Sequence, residues 1–220
     1  MNNKALLFDM DGVIVDNHKY HFKAWQVFAE KYGFELTEAF YKQQMNGRRM
    51  KNCLELVFNR SMTDEEVVSY DHEKEEIYRE LYRPELKAHE GLIELLKDAR
   101  EEGFKLAVAT SAPTENVIFT IDGLGIRHFF DSIVDSTQVT QGKPHPEVYL
   151  KSAENVETEP SRCIVFEDAL RGVEAGKNAG CKVVGVATTH NRSEIVGTDL
   201  VIDTFKDLNV DGLNELINKR

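Results

Sequence analysis

Six short apolar runs, rich in β-branched residues, limit what this chain can fold into. They are "ALLFDM" at 5–10, "KLAVAT" at 105–110, "SIVDS" at 132–136, "CIVFED" at 163–168, "KVVGVAT" at 182–188 and "LVID" at 200–203. Most are continuous rather than alternating, the pattern of strands covered on both faces in a parallel sheet. Helical patterns separate them: "GLIELLKDAREEG" at 91–103, "ENVIFTIDGLG" at 115–125, "HPEVYLKSAENV" at 145–156 and "ALRGVEAGKNAG" at 169–180. Strand and helix in alternation predict an α/β fold with a doubly wound, Rossmann-like parallel-sheet core.

One segment breaks that rhythm. Between about residues 16 and 83 no strand pattern occurs, and helices are expected at 20–33, 37–45, 50–58 and 63–82. Thr37 and Thr63 suit N-caps, and Gly33 suits a helix stop. The expected organisation is a catalytic core domain at 1–15 and 84–220, interrupted by an all-helical cap domain at 16–83. In open α/β sheets ligands bind beyond the carboxyl ends of the strands. A helical insertion directly after the first strand is therefore placed to act as a lid.

Composition narrows the partners. A net charge of −11 over 220 residues lacks the positive footprint that nucleic acid needs. A small phosphate ligand is still compatible, because a cation can supply the local charge. The three cysteines, Cys53, Cys163 and Cys181, are scattered and odd in number, which suits reduced, buried thiols in a cytoplasmic protein. No signal peptide or membrane-length apolar run occurs. A soluble monomer acting on a small molecule is expected, with neither nucleic acid nor membrane as partner.

Four anomalies fall at successive strand ends. "LLFDMDG" carries Asp9 and Asp11 where a buried strand finishes, and buried carboxylates are costly unless paired or metal-bound. "ATSA" at 109–112 brings two hydroxyls, Thr110 and Ser111, to a strand-to-helix junction, a setting that suits a phosphate oxygen, although taken alone it fits simple N-capping better. "GKPHPEVY" at 142–149 sets Lys143 before a proline that fixes the backbone. "FEDALRG" ends a fourth run with Glu167 and Asp168. Four carboxylates converging on one crevice would repel unless a cation held them, and oxygen donors suit Mg²⁺.

These motifs, in order and spanning essentially the whole chain, resemble those of the haloacid dehalogenase superfamily. The closest likeness is to its β-phosphoglucomutase-like phosphatases and phosphomutases, whose helical cap follows the first strand; "YHFKAW" at 20–25 is similar to that group's segment after the first motif. The resemblance implies Asp9 as nucleophile, forming a phosphoaspartate, and Asp11 as general acid and base. It implies a catalytic part for Lys143 and Thr110, with Ser111 and Ala112 on the phosphate-binding loop. It also implies Mg²⁺ held by Asp9, the backbone carbonyl of Asp11, Glu167 and Asp168. An acid at Asp11 favours phosphate esters over carbon–halogen bonds, since the dehalogenases of the superfamily lack it.

The resemblance leaves two reactions in play. His21 matches a hinge histidine of the phosphoglucomutase group, and Lys74 a cap lysine that contacts substrate. The group's cap arginine aligns with Met50, beside Arg48 and Arg49, and its Ser-Lys-Asn run is replaced by Ala112-Pro113-Thr114. The grip on a second phosphate is weakened, so hydrolysis of a small phosphorylated metabolite such as a sugar phosphate is expected ahead of a hexose phosphate mutase. A binder of phosphorylated ligands without turnover is the third possibility. Trp25, Phe22 and Phe28 have the spacing of a helix core, and the acidic run 64–76 is expected as a solvated helix face.

Overall fold

The computed structural model describes residues 3–45, 48 and 50–219. The backbone forms two compact units, Met1–Asp16 with Leu86–Arg220 and Asn17–Glu85.

The first unit is built on six parallel strands: β1 (Ala5–Phe8), β2 (Lys105–Ala109), β3 (Ser132–Val134), β4 (Cys163–Glu167), β5 (Lys182–Val186) and β6 (Leu200–Ile202). Their spatial order is β3-β2-β1-β4-β5-β6, the doubly wound arrangement in which strand order reverses at β1. All four residues of β1 and all five of β4 are buried, as continuous apolar runs require when both faces are covered. The helices of this unit are α5 (Leu92–Glu101), α6 (Thr114–Val117, continued by a π-helical turn over Ile118–Asp122), α7 (Glu147–Asn155), α8 (Leu170–Asn178) and α9 (Val210–Asn218). Ala5, Leu7, Ala107 and Val165 pack on one sheet face with Val148 and Tyr149 of α7 and Val173 of α8. The pleat turns Phe8 and Phe166 to the other face, where their rings stack at 4.6 Å and meet Phe205. Helices α5 and α9 pack against each other and against that side of β2 and β4.

Helix α9 lies outside the predicted set. Its buried residues Val210, Leu213, Leu216 and Ile217 follow a helical period, and Asn209 caps it by accepting from Gly212 N at 2.8 Å.

The second unit contains only helices among its described residues: α1 (His18–Tyr32), α2 (Glu38–Phe40, running into a π-helical turn over Tyr41–Met45), α3 (Met50–Phe58) and α4 (Asp64–Tyr82). Its core gathers Trp25, Phe28, Met45, Cys53, Leu54 and Met62, while Phe22 is half-buried against Tyr41. Gly33 ends α1 in the left-handed conformation. The acidic run is not uniformly solvated. Lys74 and Glu75 turn inward and pair at 2.6 Å, because an ion pair lets both charges be buried together.

All three cysteines are free and buried. No helix among the described residues is long and apolar enough to cross a membrane.

Helix α4 starts with a reciprocal cap. Thr63 Oγ1 accepts from Glu66 N at 3.2 Å, and Glu66 Oε2 accepts from Thr63 N at 3.0 Å. Arg60 clasps the same carboxylate through two nitrogens, at 2.9 and 2.6 Å. Thr63→Ala is expected to lower stability by about 1 kcal/mol, read as a fall in the urea unfolding midpoint; an unchanged midpoint would show that Arg60 alone secures the helix start.

Candidate active site

Sheet register brings the anomalous residues together. Phe8 is level with Phe166 of β4 and with Val108 of β2. One step further, at the carboxyl edge, Asp9 therefore comes level with Glu167 on one side and Ala109 on the other. Asp9 N donates to Phe166 O at 3.0 Å, which carries the ladder one residue past the strand. The chain then turns sharply: Val13, Ile14 and Val15 all donate to Met10 O, and Gly12 N donates to Val15 O at 2.7 Å. Gly12 has φ 81°, a conformation that favours glycine, so the turn can follow the second aspartate at once.

Lys143 ties the strand ends together. Its ammonium donates to Asp9 Oδ1 at 2.6 Å, to Glu167 Oε1 at 2.6 Å and to the carbonyl of Ala109 at 3.3 Å. All three donors of the –NH₃⁺ group are used. The lysine is held from behind, since the Arg171 guanidinium donates to Lys143 O at 3.1 and 2.9 Å and Asn178 donates to Pro144 O at 3.2 Å. Burial alone would depress this amine's pKa; the flanking carboxylates of Asp9 and Glu167 outweigh it and hold it above the ordinary lysine value.

Glu167 is hydrogen bonded through both oxygens. Oε1 accepts from Lys143 and from Tyr149 OH, each at 2.6 Å. Oε2 accepts from Asp168 N at 3.1 Å and Ala169 N at 3.3 Å. The carboxylate also lies directly against Gly172, where a Cβ would come within 1.9 Å of Oε1. Asp168 is buried and accepts a hydrogen bond from the Thr189 hydroxyl, while Thr188 Oγ1 donates to Gly12 O at 2.6 Å. The segment after β5 thus braces both acid-bearing strand ends. Tyr149, Thr188 and Thr189 carry no distinctive signal in the sequence, one being a tyrosine on an apolar helix face and the others a Thr-Thr pair, whereas Gly172 stands among the small residues of the helix after Asp168.

Neither Thr110 nor Asp168 caps a helix. Pro113 occupies the N-cap of α6 and Ala169 that of α8. Thr110 and Asp168 are each one or more residues short of those positions, and both face inward. Thr110 Oγ1 instead accepts from Ala112 N at 3.1 Å, folding the loop back on itself. Ala112 is buried and Ser111 exposed. Asp11 is half-buried and its backbone bridges to Val15.

In the helical unit His21 and Lys74 meet: Lys74 Nζ lies 3.0 Å from His21 Nδ1, and the imidazole stacks on Tyr78 at 3.9 Å. Arg48 is exposed and donates to Gln44 at 3.4 Å. Arg49 lies outside the described residues.

The donor set fits a hard divalent cation. One carboxylate oxygen each from Asp9, Glu167 and Asp168 lie within 4.8 Å of one another. Three buried carboxylates face one ammonium, so negative charge is in excess. Burial chiefly, then the nearby Glu167, Asp168 and Asp11, raise the Asp9 pKa well above the usual carboxylate range against the pull of Lys143. Such an excess is what an oxygen-liganded Mg²⁺ offsets.

The sequence matches the family model for haloacid dehalogenase-like hydrolases over residues 6–186. The chain belongs to the haloacid dehalogenase-like hydrolases. Within them it groups with the β-phosphoglucomutase-like phosphatases and phosphomutases, and it is an enzyme of that kind. It is 32% identical over 189 residues to a phosphorylated carbohydrates phosphatase of Thermotoga maritima, covering 86% of this chain and 87% of that protein. It is also 32% identical over 220 residues to the β-phosphoglucomutase of Bacillus subtilis, covering 96% and 94%. The crystal structure of a haloacid dehalogenase hydrolase, family IA, variant 3 from Entamoeba histolytica superposes with a TM-score of 0.93 at 29% identity, over 98% of this chain and all of that one.

The Gly172 contact gives a stability prediction for this haloacid dehalogenase-like core. Gly172→Ala forces Glu167 from its four hydrogen bonds and is expected to cost about 1–3 kcal/mol. Thermal unfolding checks it: a wild-type melting temperature would mean the carboxylate has somewhere else to go.

Proposed function

We propose that the protein transfers phosphoryl groups through a phosphoaspartate at Asp9 and hydrolyses a small phosphorylated metabolite, a sugar phosphate being the best candidate. One observation carries this reading. Lys143 occupies Asp9 Oδ1, and Oδ2 has no hydrogen-bond partner among the described residues, so one oxygen is anchored and the other available to attack.

In the first half-reaction Asp9 Oδ2 forms a bond to phosphorus as the bond from phosphorus to the ester oxygen breaks. Asp11, protonated, gives its proton to that leaving oxygen. In the second, Asp11 takes a proton from water, the water oxygen bonds to phosphorus, and the Asp9 O–P bond breaks to release phosphate. Splitting the transfer replaces one difficult step by two easier ones. Lys143 holds Asp9 in line, and the Thr110 hydroxyl, whose oxygen already accepts from Ala112 N, has its proton free for a phosphoryl oxygen. Asp9, the carbonyl of Asp11, Glu167 and Asp168 would hold Mg²⁺, with Glu167 acting mainly by orienting Lys143. Bound Mg²⁺ supplies charge neutralisation at the phosphoryl group.

Ser111 and Ala112 complete the phosphate loop, and we assign residues 16–83 as the specificity cap, with His21, Lys74, Arg48 and Arg49 as substrate-binding residues. A mutase is the second reading, favoured by the 32% identity to the B. subtilis β-phosphoglucomutase and by the paired His21 and Lys74. The 32% identity to the T. maritima phosphatase and the uncharged Ala112-Pro113-Thr114 loop favour hydrolysis.

With a generic phosphate ester, Asp9→Asn is expected to cut turnover roughly a thousandfold or more while circular dichroism stays unchanged. Full activity in that variant would remove Asp9 from the nucleophile role. Chelation should abolish release of phosphate and added Mg²⁺ restore it; metal-independent turnover would dismiss the cation. Product partition on hexose phosphates, free phosphate against isomerised sugar phosphate, separates phosphatase from mutase. Folded protein that releases neither with Mg²⁺ present would leave a non-catalytic binder.

A further inference from the structure

A buried carboxylate outside the machinery above holds the loop Thr110–Thr114. Asp135 follows β3 and is 5% exposed. Its Oδ2 accepts from the Thr114 hydroxyl at 2.6 Å, and its Oδ1 accepts from Thr137 N at 3.0 Å and Thr137 Oγ1 at 2.6 Å. Two backbone bonds flank it: Thr110 N donates to Val134 O at 3.0 Å and Ser136 N to Ala112 O at 3.1 Å. The segment after β3 thus grips the loop after β2 at its start, middle and end. Burial opposes the charge on Asp135, but the hydrogen bonds from Thr114 and Thr137 prevail and keep its pKa below the ordinary value.

The loop needs such a grip. Its helix, α6, begins at Thr114 with Pro113 at the N-cap, which makes no side-chain capping bond. The first turn, closed by Asn116 N and Val117 N donating to Pro113 O, thus takes a side-chain anchor from Asp135 across the sheet edge through Thr114. Through Thr110 the loop also joins the strand end where Ala109 O accepts from Lys143. A loop fixed this way presents the Thr110 hydroxyl without ordering it anew at each binding event, which is where preorganisation adds affinity.

We infer that Asp135, through Thr114, is a positioning residue that preorganises the phosphate-binding loop; the inference rests on the proposed phosphoryl-transfer reading. It touches no reacting atom. Its signature is weakened binding of the phosphate group with chemistry largely intact.

Thr114 is exposed, so Thr114→Val removes the latch with little risk to folding. With p-nitrophenyl phosphate as substrate and inorganic phosphate as competitive inhibitor, KM and Ki are expected to rise together about tenfold, the size of a lost hydrogen bond to a charged group. The change in kcat should stay within about twofold, and Thr114→Ser should restore both constants. Asp135→Ala, if folded, should weaken binding at least as much as Thr114→Val, since it also removes the Thr137 bonds, and adding Thr114→Val to it should cost little more, because the Thr114 contact is already gone. Unchanged KM and Ki in folded Thr114→Val, or failure of Thr114→Ser to rescue, would overturn the inference and leave the proposed function standing. Wild-type protein that neither hydrolyses the ester with Mg²⁺ nor binds phosphate would overturn both.

Discussion

A buried ammonium between two buried carboxylates organises the carboxyl edge of this protein's sheet. Lys143 spends its three hydrogens on Asp9, Glu167 and the carbonyl of Ala109, and so joins β1, β4 and β2 through one atom. Removing one partner of a buried pair typically costs about 3–5 kcal/mol, because the other charge stays behind uncompensated. Here the lysine serves two carboxylates, so its position is dictated from both sides. The surrounding residues make that position the only convenient one: Tyr149 and two backbone N–H groups hold Glu167, and Gly172 leaves room for it.

The sheet explains why so few residues suffice. Parallel strands end at one edge, and the register Phe8 to Phe166 and Phe8 to Val108 brings Asp9, Glu167 and Ala109 level without any loop having to reach. Apolar stacking sets that register. Phe8 and Phe166 lie face to face at 4.6 Å, with Phe205 behind them. A slip of one residue would turn those rings to the other face and move both acids out of line. The packing of the core and the alignment of the site are thus one constraint.

Much of this was legible in the sequence because its signals are local and repeated. Continuous β-branched runs marked the six strands, and charged residues where those runs stop marked the edge. What escaped depends on contacts between distant segments. Helix α9 carried a helical apolar period and an Asn209 cap, but it is short and close to the chain end. Tyr149 reads as an ordinary core aromatic until β4 places Glu167 beside its hydroxyl. Thr110, read alone, fits a helix cap better than a ligand site, and only the fold shows that Pro113 takes the cap position while the threonine side chain faces inward. Glu75, within a run that reads as solvated, is buried because Lys74 turns in with it.

The charge balance of the edge is the least economical feature of the fold and the most informative about its use. Asp9, Glu167 and Asp168 are buried within reach of one cation donor, and Asp9 responds with a strongly raised pKa. Well-packed apolar side chains would serve stability at least as well. A network that served structure alone would be satisfied, as Glu167 is, with every oxygen bonded. Asp9 is not: one oxygen is fixed and the other is left without a protein partner among the described residues. The arrangement combines a fully bonded scaffold, in Glu167 and Lys143, with a carboxylate at Asp9 anchored through one oxygen, and that asymmetry is what the proposed nucleophile role requires.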